Sequence, residues 1–283
     1  MKTVVWAANI LAALDGCPDG RVHSLFDHSL NLCFGNRLVH VSDGRYGRLP
    51  FGLTVRSDDA QLLLRCLQLG ETVYWDGRIC FPGQGLEIAL EGKPYDLFLQ
   101  EQQGTLPASS KAALVDRLLA EKRAGGLGFT AGDAVDHLGG YGCAALSCLT
   151  DIQKAAASLA PNHTDSIIRY FLGRGAGLTP GGDDFLVGFL AATWAAGKLQ
   201  PDFINTFNSL VSAEATLLTT DISAEYLYYA GRRQFASPLN DLMNALYVGG
   251  PSQVMARIDA ILANGHTSGL DTLLGVLTAI YHL

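Results

Sequence analysis

The stretch FLGRGAGLTPGGDDFLVGFLAATWAAG, residues 171 to 197, decides the reading of this 283-residue chain. Gly173, Gly175 and Gly177 alternate with Arg174, Ala176 and Leu178, so the backbone there can take positive φ and come close to a ligand or to another backbone. Thr179-Pro180 then reads as an N-cap and first helical residue, because a threonine hydroxyl accepts from an orphan amide and proline lacks the donor that a helix start cannot use. The amides of Gly181 and Gly182 would point out of that helix start, where the macrodipole concentrates positive charge. Two readings stay open. One is an anion cradle with Arg174 as its fixed cation. The other is a helix C-cap, a tight turn and a new helix packed closely through small residues. No Gly-Lys-Ser/Thr follows the glycines and no apolar strand precedes them, which argues against a Walker loop and a dinucleotide fingerprint.

Outward from this stretch the chain divides in two. From Arg21 to about Gln100, short alternating runs (VHSLF, SLNLCF, RLVHV, FGLTV, TVYW, RICF, LEIAL, YDLFL) are separated by turn residues, and Asp76-Gly77 between VYW and RICF is the strongest hairpin signal. One helix, capped by Ser57, interrupts them, and another short apolar helix is expected near residues 4–14. Beyond Thr105 the period changes from two to 3.6. Helices are expected from Ser109, from Thr150 or Asp151, from Thr164 or Asp165, continuously from Asp202 to Arg233, and from Ser237, Pro251 and Ser268. Residues 124–150, rich in glycine, read as a loop with a small-residue helix. The expected class is α+β: a β-rich barrel or sandwich module over residues 1–105, then an all-α helical domain over 106–283.

Composition limits the partners. A net charge of −7 and a pI near 5.4 speak against an extended nucleic-acid surface, so any anionic ligand must be held locally. The six cysteines make no CxxC pair and have no histidine at zinc spacing. Residues 4–14 look briefly like a signal-peptide core, but Asn9 interrupts it and Asp15 sits in the cleavage neighbourhood. No run approaches a membrane span, and a cytoplasmic location is expected.

Thr179-Pro-Gly181-Gly-Asp183-Asp-Phe185 has an echo in Thr267-Ser-Gly269-Leu-Asp271-Thr-Leu273. Each places a hydroxyl, a glycine and an acid at a helix start. The acids could equally be plain dipole-stabilising residues, worth about 0.3 to 1 kcal/mol each. His266, just before the second start, could act as acid, base or oxyanion donor. The echo raises the expectation that both starts converge on one cleft.

GRGAGLTPGGDDFLVGFLAA, SAEYLYYAGRRQFASPL and GHTSGLDTLLG together resemble the AllH-like family, a subunit of the anaerobic oxamate carbamoyltransferase. These blocks span roughly Gly173 to Gly275, and the N-terminal half matches only in style. The resemblance implies carbamoyl transfer between carbamoyl phosphate and oxamate, giving oxalurate and phosphate in allantoin catabolism, within an assembly that includes an FdrA-like subunit and another large subunit. The Ser-Thr-Arg-Thr-Arg phosphate motif of the aspartate and ornithine transcarbamoylases is absent. Helix-start chemistry puts Arg174, Gly175, Gly177, Thr179, Gly181, Gly182, Ser268 and Gly269 at the phosphate. It puts His266 and Thr267 at the carbonyl, with Asp183 and Asp271 orienting donors, or Asp183 and Asp184 holding Mg²⁺. The competing readings are a non-catalytic assembly or regulatory subunit, and a metal-dependent hydrolase or nucleotide-binding protein.

Overall fold

The computed structural model describes residues 1–142, 144–158, 163–263 and 265–283. The chain falls into two compact units, Met1–Leu97 and Phe98–Leu283. The first contains β1 (Val5–Ala7), α1 (Ile10–Gly16), β2 (Asp19–Leu25), β3 (Ser29–Phe34), β4 (Arg37–Ser42), β5 (Gly52–Thr54), α2 (Ser57–Cys66), β6 (Thr72–Trp75), β7 (Arg78–Phe81), β8 (Leu86–Ala89) and β9 (Lys93–Tyr95). The strands form one sheet in the order β8-β7-β6-β2-β3-β4-β5-β1-β9, mostly antiparallel, with parallel pairs β4–β5 and β1–β9. The sheet curls. Its edge strand β8 is bonded to the residues leading into β1, through the Thr3 amide to the Ala89 carbonyl and the Ala89 amide to the Met1 carbonyl, both 3.0 Å. Closure of this kind satisfies an edge that would otherwise present unpaired backbone groups. Leu32, Val39, Val73, Ile79 and Phe81 fill the inside. The Asp76-Gly77 turn joins β6 to β7 as expected, with Gly77 at φ +92°.

Two readings of this half need correction. Residues 4–14 hold a strand before the helix, because Val5 and Trp6 pair with β5 on one side and β9 on the other. YDLFL contributes only Tyr95 to the sheet. Beyond it the Leu99 amide donates to the Arg233 carbonyl and the Gln102 amide to the Ala195 carbonyl, so residues 98–105 belong by their bonds with the helical unit.

The second unit contains α3 (Ala108–Ala120), α4 (Ala131–Leu138), a 3₁₀ turn (Ala144–Leu146), α5 (Ser147–Ala156), α6 (Thr164–Phe171), α7 (Gly181–Ala195), α8 (Pro201–Leu218), α9 (Asp221–Ala230), α10 (Ser237–Val248), α11 (Pro251–Leu262) and α12 (Ser268–Ile280). The class is therefore α+β, a curled sheet followed by helices. α7 is apolar on every side and buried along nearly all its length, as a central helix must be. α5 starts at Ser147 rather than at Thr150 or Asp151, and the run from Asp202 breaks at Thr219-Thr220, where the Thr220 hydroxyl caps α9 by accepting from the Ser223 amide. Cys143 lies outside the described residues, and the other five cysteines form no disulfide.

The helical unit repeats itself. α3 to α7 and α8 to α12 are two runs of five helices whose pairings match: α3 packs on α11 as α8 packs on α6, α4 on α12 as α9 on α7, and α5 on α12 as α10 on α7. Thr130 caps α4 through the Asp133 amide as Thr220 caps α9. α7 and α12, the last helix of each run, form the most extensive helix pair in the unit.

Candidate functional site

The central pair is held by two glycines. A Cβ on Gly188 would run into the Thr272 carbonyl, and a Cβ on Gly275 into the Phe185 carbonyl. These contacts are images of one another, with Gly188 matched to Gly275 and Phe185 to Thr272. Small residues let helix backbones approach where a larger side chain would hold them apart. One turn earlier the same exchange occurs between acids and helix starts. Asp184 of α7 interacts with the Ser268 hydroxyl at the start of α12, and Asp271 of α12 lies against Gly181 at the start of α7, where a Cβ would come 3.0 Å from its Oδ2. First turn meets first turn and second meets second, so the two helices run parallel with their N-termini together.

This register corrects the sequence echo by one residue. Asp271 corresponds to Asp184 rather than to Asp183, and Ser268 to Gly181. The caps shift as well: Pro180 and Thr267 are the N-cap residues, and neither Thr179 nor Ser268 caps its helix. Thr179 instead interacts with the Asp184 carboxyl.

Asp183 and Asp184 look to different partners. Asp183 is 1% exposed, and its oxygens accept from the Gly173 amide at 2.8 Å and from the Thr219 hydroxyl. Burial pushes its carboxyl above the usual range, and these donors pull it back. It is a knot tying the glycine loop to the joint between α8 and α9. Asp184 and Asp271 are less fully answered. Asp184 Oδ2 and Asp271 Oδ1 are enclosed and have no hydrogen-bond partner among the described residues. Burial drives Asp184 well above the carboxylate range; the hydroxyls of Ser268 and Thr179 oppose this, while the charges of Asp271 and Asp183 add to it. Asp271, fully buried, is also raised by burial, although the Gly126 amide donates to its Oδ2 at 2.9 Å and Thr267 and Leu127 bond the same carboxyl.

The glycines of the organising loop divide by task. A Cβ on Gly173 would strike the Leu218 carbonyl and one on Gly182 the Phe171 carbonyl, so both serve packing. The Gly182 amide donates to the Arg174 carbonyl at 2.8 Å, which removes it from the anion donors expected at this helix start. Gly175 (φ +116°) lies over the helix start, with a Cβ position 2.7 Å from the Gly181 nitrogen, and Gly177 (φ +99°) borders open space. Among the described residues nothing accepts from the Gly181 amide. Arg174 is folded back: its Nε donates to the Tyr170 carbonyl at 2.7 Å and its guanidinium sits 3.8 Å from the Tyr170 ring centroid. Arg232 treats Tyr228 the same way, 3.5 Å from its ring, so this is a recurring way of closing a helix end with a cation. Gly269 is buried at the start of α12. The His266 ring is exposed, and its carbonyl accepts from Arg123 Nη1 at 3.1 Å.

Two further contributors were not among the residues expected at the site, although the glycine-rich loop of residues 124–150 that holds the first was singled out from the sequence. Gly125 and Gly126 come from the joint between α3 and α4. A Cβ on Gly126 would lie 3.0 Å from Asp271 Oδ2, 3.3 Å from the Gly181 Cα and 3.4 Å from Thr267 Oγ1, so this joint touches both helix starts. Tyr226 on α9 is near enough for the Asp184 charge to hold its hydroxyl above the ordinary phenol range, after burial as the larger cause. The run of glycines at 125–128 was a visible signal for the first; nothing local marks Tyr226.

Among the described residues no group of three or more histidine, cysteine, aspartate or glutamate side chains could hold a metal ion. Each Asp183 oxygen accepts from a protein donor, whereas Asp184 Oδ2 has no partner among the described residues. No described helix is long and apolar enough to cross a membrane.

Two family models match the chain. Residues 171–280 match the oxamate carbamoyltransferase subunit AllH, and residues 2–95 match the AllH family N-terminal domain, which extends the likeness into the sheet unit. No solved structure matches. The second match includes the curled sheet, and the first includes both helix starts and the acids that cross between them; the chain belongs to the AllH family.

Proposed function

We propose that this chain is a subunit of an oxamate carbamoyltransferase and that its paired helix starts hold carbamoyl phosphate, within a complex that includes FdrA-like and other large subunits. The observation that carries the reading is the parallel α7–α12 pair. Two helix N-termini held side by side repel one another through their dipoles, and a small anion at the junction offsets that cost. Each start contributes about 0.3 to 1 kcal/mol toward an exposed anion, and about 2 kcal/mol when partly buried. An acidic chain can hold a dianion this way without a basic surface.

The acids fit the same account. A carboxyl kept neutral donates a hydrogen bond to an anion instead of repelling it, and burial favours the neutral form of both Asp184 and Asp271. In the transfer, the acceptor's amide nitrogen attacks the carbamoyl carbon, the new C–N bond forms, and the C–O bond to phosphate breaks. Phosphate leaves with the electron pair, and the nitrogen gives up a proton. Charge grows on the carbonyl oxygen meanwhile, which calls for a preorganised donor such as the Gly181 amide, joined by the Thr179, Thr267 and Ser268 hydroxyls when they turn from the Asp184 and Asp271 carboxyls they now bond. The alternative of a non-catalytic assembly subunit is favoured by one observation, that Gly173, Gly182, Gly188 and Gly275 all serve packing.

Calorimetry on the full chain with carbamoyl phosphate and with inorganic phosphate, with and without Mg²⁺, separates the two. Saturable binding that weakens about 10-fold or more in Thr179→Val supports the proposal. No heat of binding with either compound favours the assembly subunit.

A further inference from the structure

α7 and α9 end in the same turn, made with different residues. At the end of α7 the Lys198 amide donates to the Thr193 carbonyl and the Gly197 amide to the Trp194 carbonyl, with Gly197 at φ +63°. At the end of α9 the Gln234 amide donates to the Tyr229 carbonyl and the Arg233 amide to the Ala230 carbonyl, with Arg233 at φ +61°. The left-handed residue of such a terminus is ordinarily glycine, because a Cβ there is strained. Glycine would serve this turn better, so what the chain gains from arginine lies in the side chain. That side chain is not spent on closing the helix. Arg174 and Arg232 each donate to a carbonyl of the preceding turn while stacked on a tyrosine. Arg233 is half-buried, with its guanidinium 4.7 Å from the Trp194 ring centroid and 5.0 Å from that of Phe98. Among the described residues this guanidinium donates no hydrogen bond and pairs with no acid. Its Nε is sealed in without a partner, and the two terminal nitrogens are not.

Resting on the reading of this chain as one subunit of several, we propose that Arg233, beside Phe98 and Trp194, docks an aspartate or glutamate side chain of another subunit. The rings hold the guanidinium in place, so little freedom is lost when an acceptor meets its edge. A carboxylate matches that edge, with two oxygens for two parallel N–H donors. A small free carboxylate would gain too little from one arginine to bind more tightly than about millimolar. A carboxylate carried on another chain has more to bind. Phe98 beside the guanidinium is 43% exposed, and an arginine with aromatic neighbours is a common interface anchor. The contact is separate from the paired helix starts, since Trp194 lies toward the other end of α7 from Gly181, roughly 20 Å along the axis. It holds the assembly together and takes no part in the transfer.

The test treats the wild-type chain, alone and assembled with its co-expressed subunits, with phenylglyoxal, which modifies unpaired guanidinium groups; peptide mass spectrometry reads position 233. Arg233 reacts in the free chain and is protected about 10-fold or more in the assembly. Arg233→Gly gives a second readout. It keeps the turn and relieves the left-handed strain, so its melting temperature holds, while its affinity for the other subunits falls about 10-fold or more. Equal reactivity in both states, or Arg233→Gly assembling as well as the wild type, overturns this inference and leaves the subunit reading standing. A fall of about 5 °C or more in the melting temperature of Arg233→Gly shows that the arginine is kept for folding, and overturns it as well. Protection of the free chain by acetate or succinate alone puts a small ligand in the subunit's place, with the same result. If the wild-type chain does not assemble with those subunits, the subunit reading falls and this inference with it.

Discussion

The starts of α7 and α12 occupy equivalent places in the two five-helix runs, yet they are equipped differently. The start of α7 is tied down from several sides: Asp183 binds the Gly173 amide and the Thr219 hydroxyl, and the Gly182 amide is bonded to the Arg174 carbonyl. The start of α12 is held differently, by the Gly126 and Leu127 amides on Asp271, by Arg123 on the His266 carbonyl and by Ser268 on Asp184, and is preceded by the exposed His266. Exposed side chains precede both starts, Arg174 and Leu178 before α7 and His266 before α12. Glycine content alone could not foretell these bonds, because Gly173 and Gly182 serve packing while Gly177 borders open space.

The sharpest test of the equivalence is Gly188→Ala beside Gly275→Ala. Each places a methyl group in a facing helix carbonyl, which has no flexible end to move, so each costs about 3 kcal/mol or more. Urea melts of both variants should show similar losses; a large loss at one and none at the other breaks the two-fold match. Next in size is Asp183→Asn, which can no longer accept from both the Gly173 amide and the Thr219 hydroxyl. It costs about 2 kcal/mol, the value of a buried hydrogen bond to a charged group, read as a lowered melting temperature. If Asp183→Asn melts like the wild type, the start of α7 is not pinned as described.

Within the loop, Gly175→Ala and Gly177→Ala both force a side chain to positive φ, at about 1 kcal/mol. Gly175 adds a close approach to the Gly181 nitrogen, so it should lose about 1 kcal/mol more than Gly177 in the same melts. Equal losses at both would show that the loop does not lie over the helix start. The mildest effect is a gain. Asp184 has a folded pKa raised above its unfolded value, so its neutral form favours folding at low pH and that advantage is lost as pH rises through the folded pKa. Asp184→Asn removes the titration. Its stability relative to wild type should therefore rise as pH climbs above the ordinary carboxylate range, measured by thermal melts at intervals; a flat difference would mean that Asp184 ionises as freely in the fold as in the unfolded chain.

Much of the architecture was legible because it rests on local pattern. The alternation in SLNLCF and RLVHV, the turn at Asp76-Gly77, and the helix starts at Ser237-Pro238 and Pro251 all depend on neighbours in sequence, and they appear as β3, β4, the β6–β7 hairpin, α10 and α11. β1 was missed because Val5–Ala7 is a strand only by virtue of β5 and β9 beside it. In the site, the importance of Asp184 and Asp271 could be suspected from their place in a first turn. The echo and the small Gly188 and Gly275 already brought the two helices together; which acid crosses to which start was not legible, because the register follows from the packing of two helices far apart in the chain. The hydroxyls Thr179 and Thr267 suggested a match that the packing glycines shift by one residue. Tyr226 and the joint at residues 125–127 reach the site only through tertiary structure.

Symmetry governs what a site on such an axis can tell apart. Between two identical halves, a ligand with two different ends would be held either way round with equal weight, and half of all encounters would be unproductive. Here the equivalent positions before the helix starts hold Thr179 in one half and His266 in the other, and the Asp183 knot beside the first start gives way to Leu270 beside the second. The scaffold keeps the repeat while the side chains depart from it. On the proposed reading, a ligand with two unlike ends would meet two different faces at this junction, and one orientation would be favoured over the other.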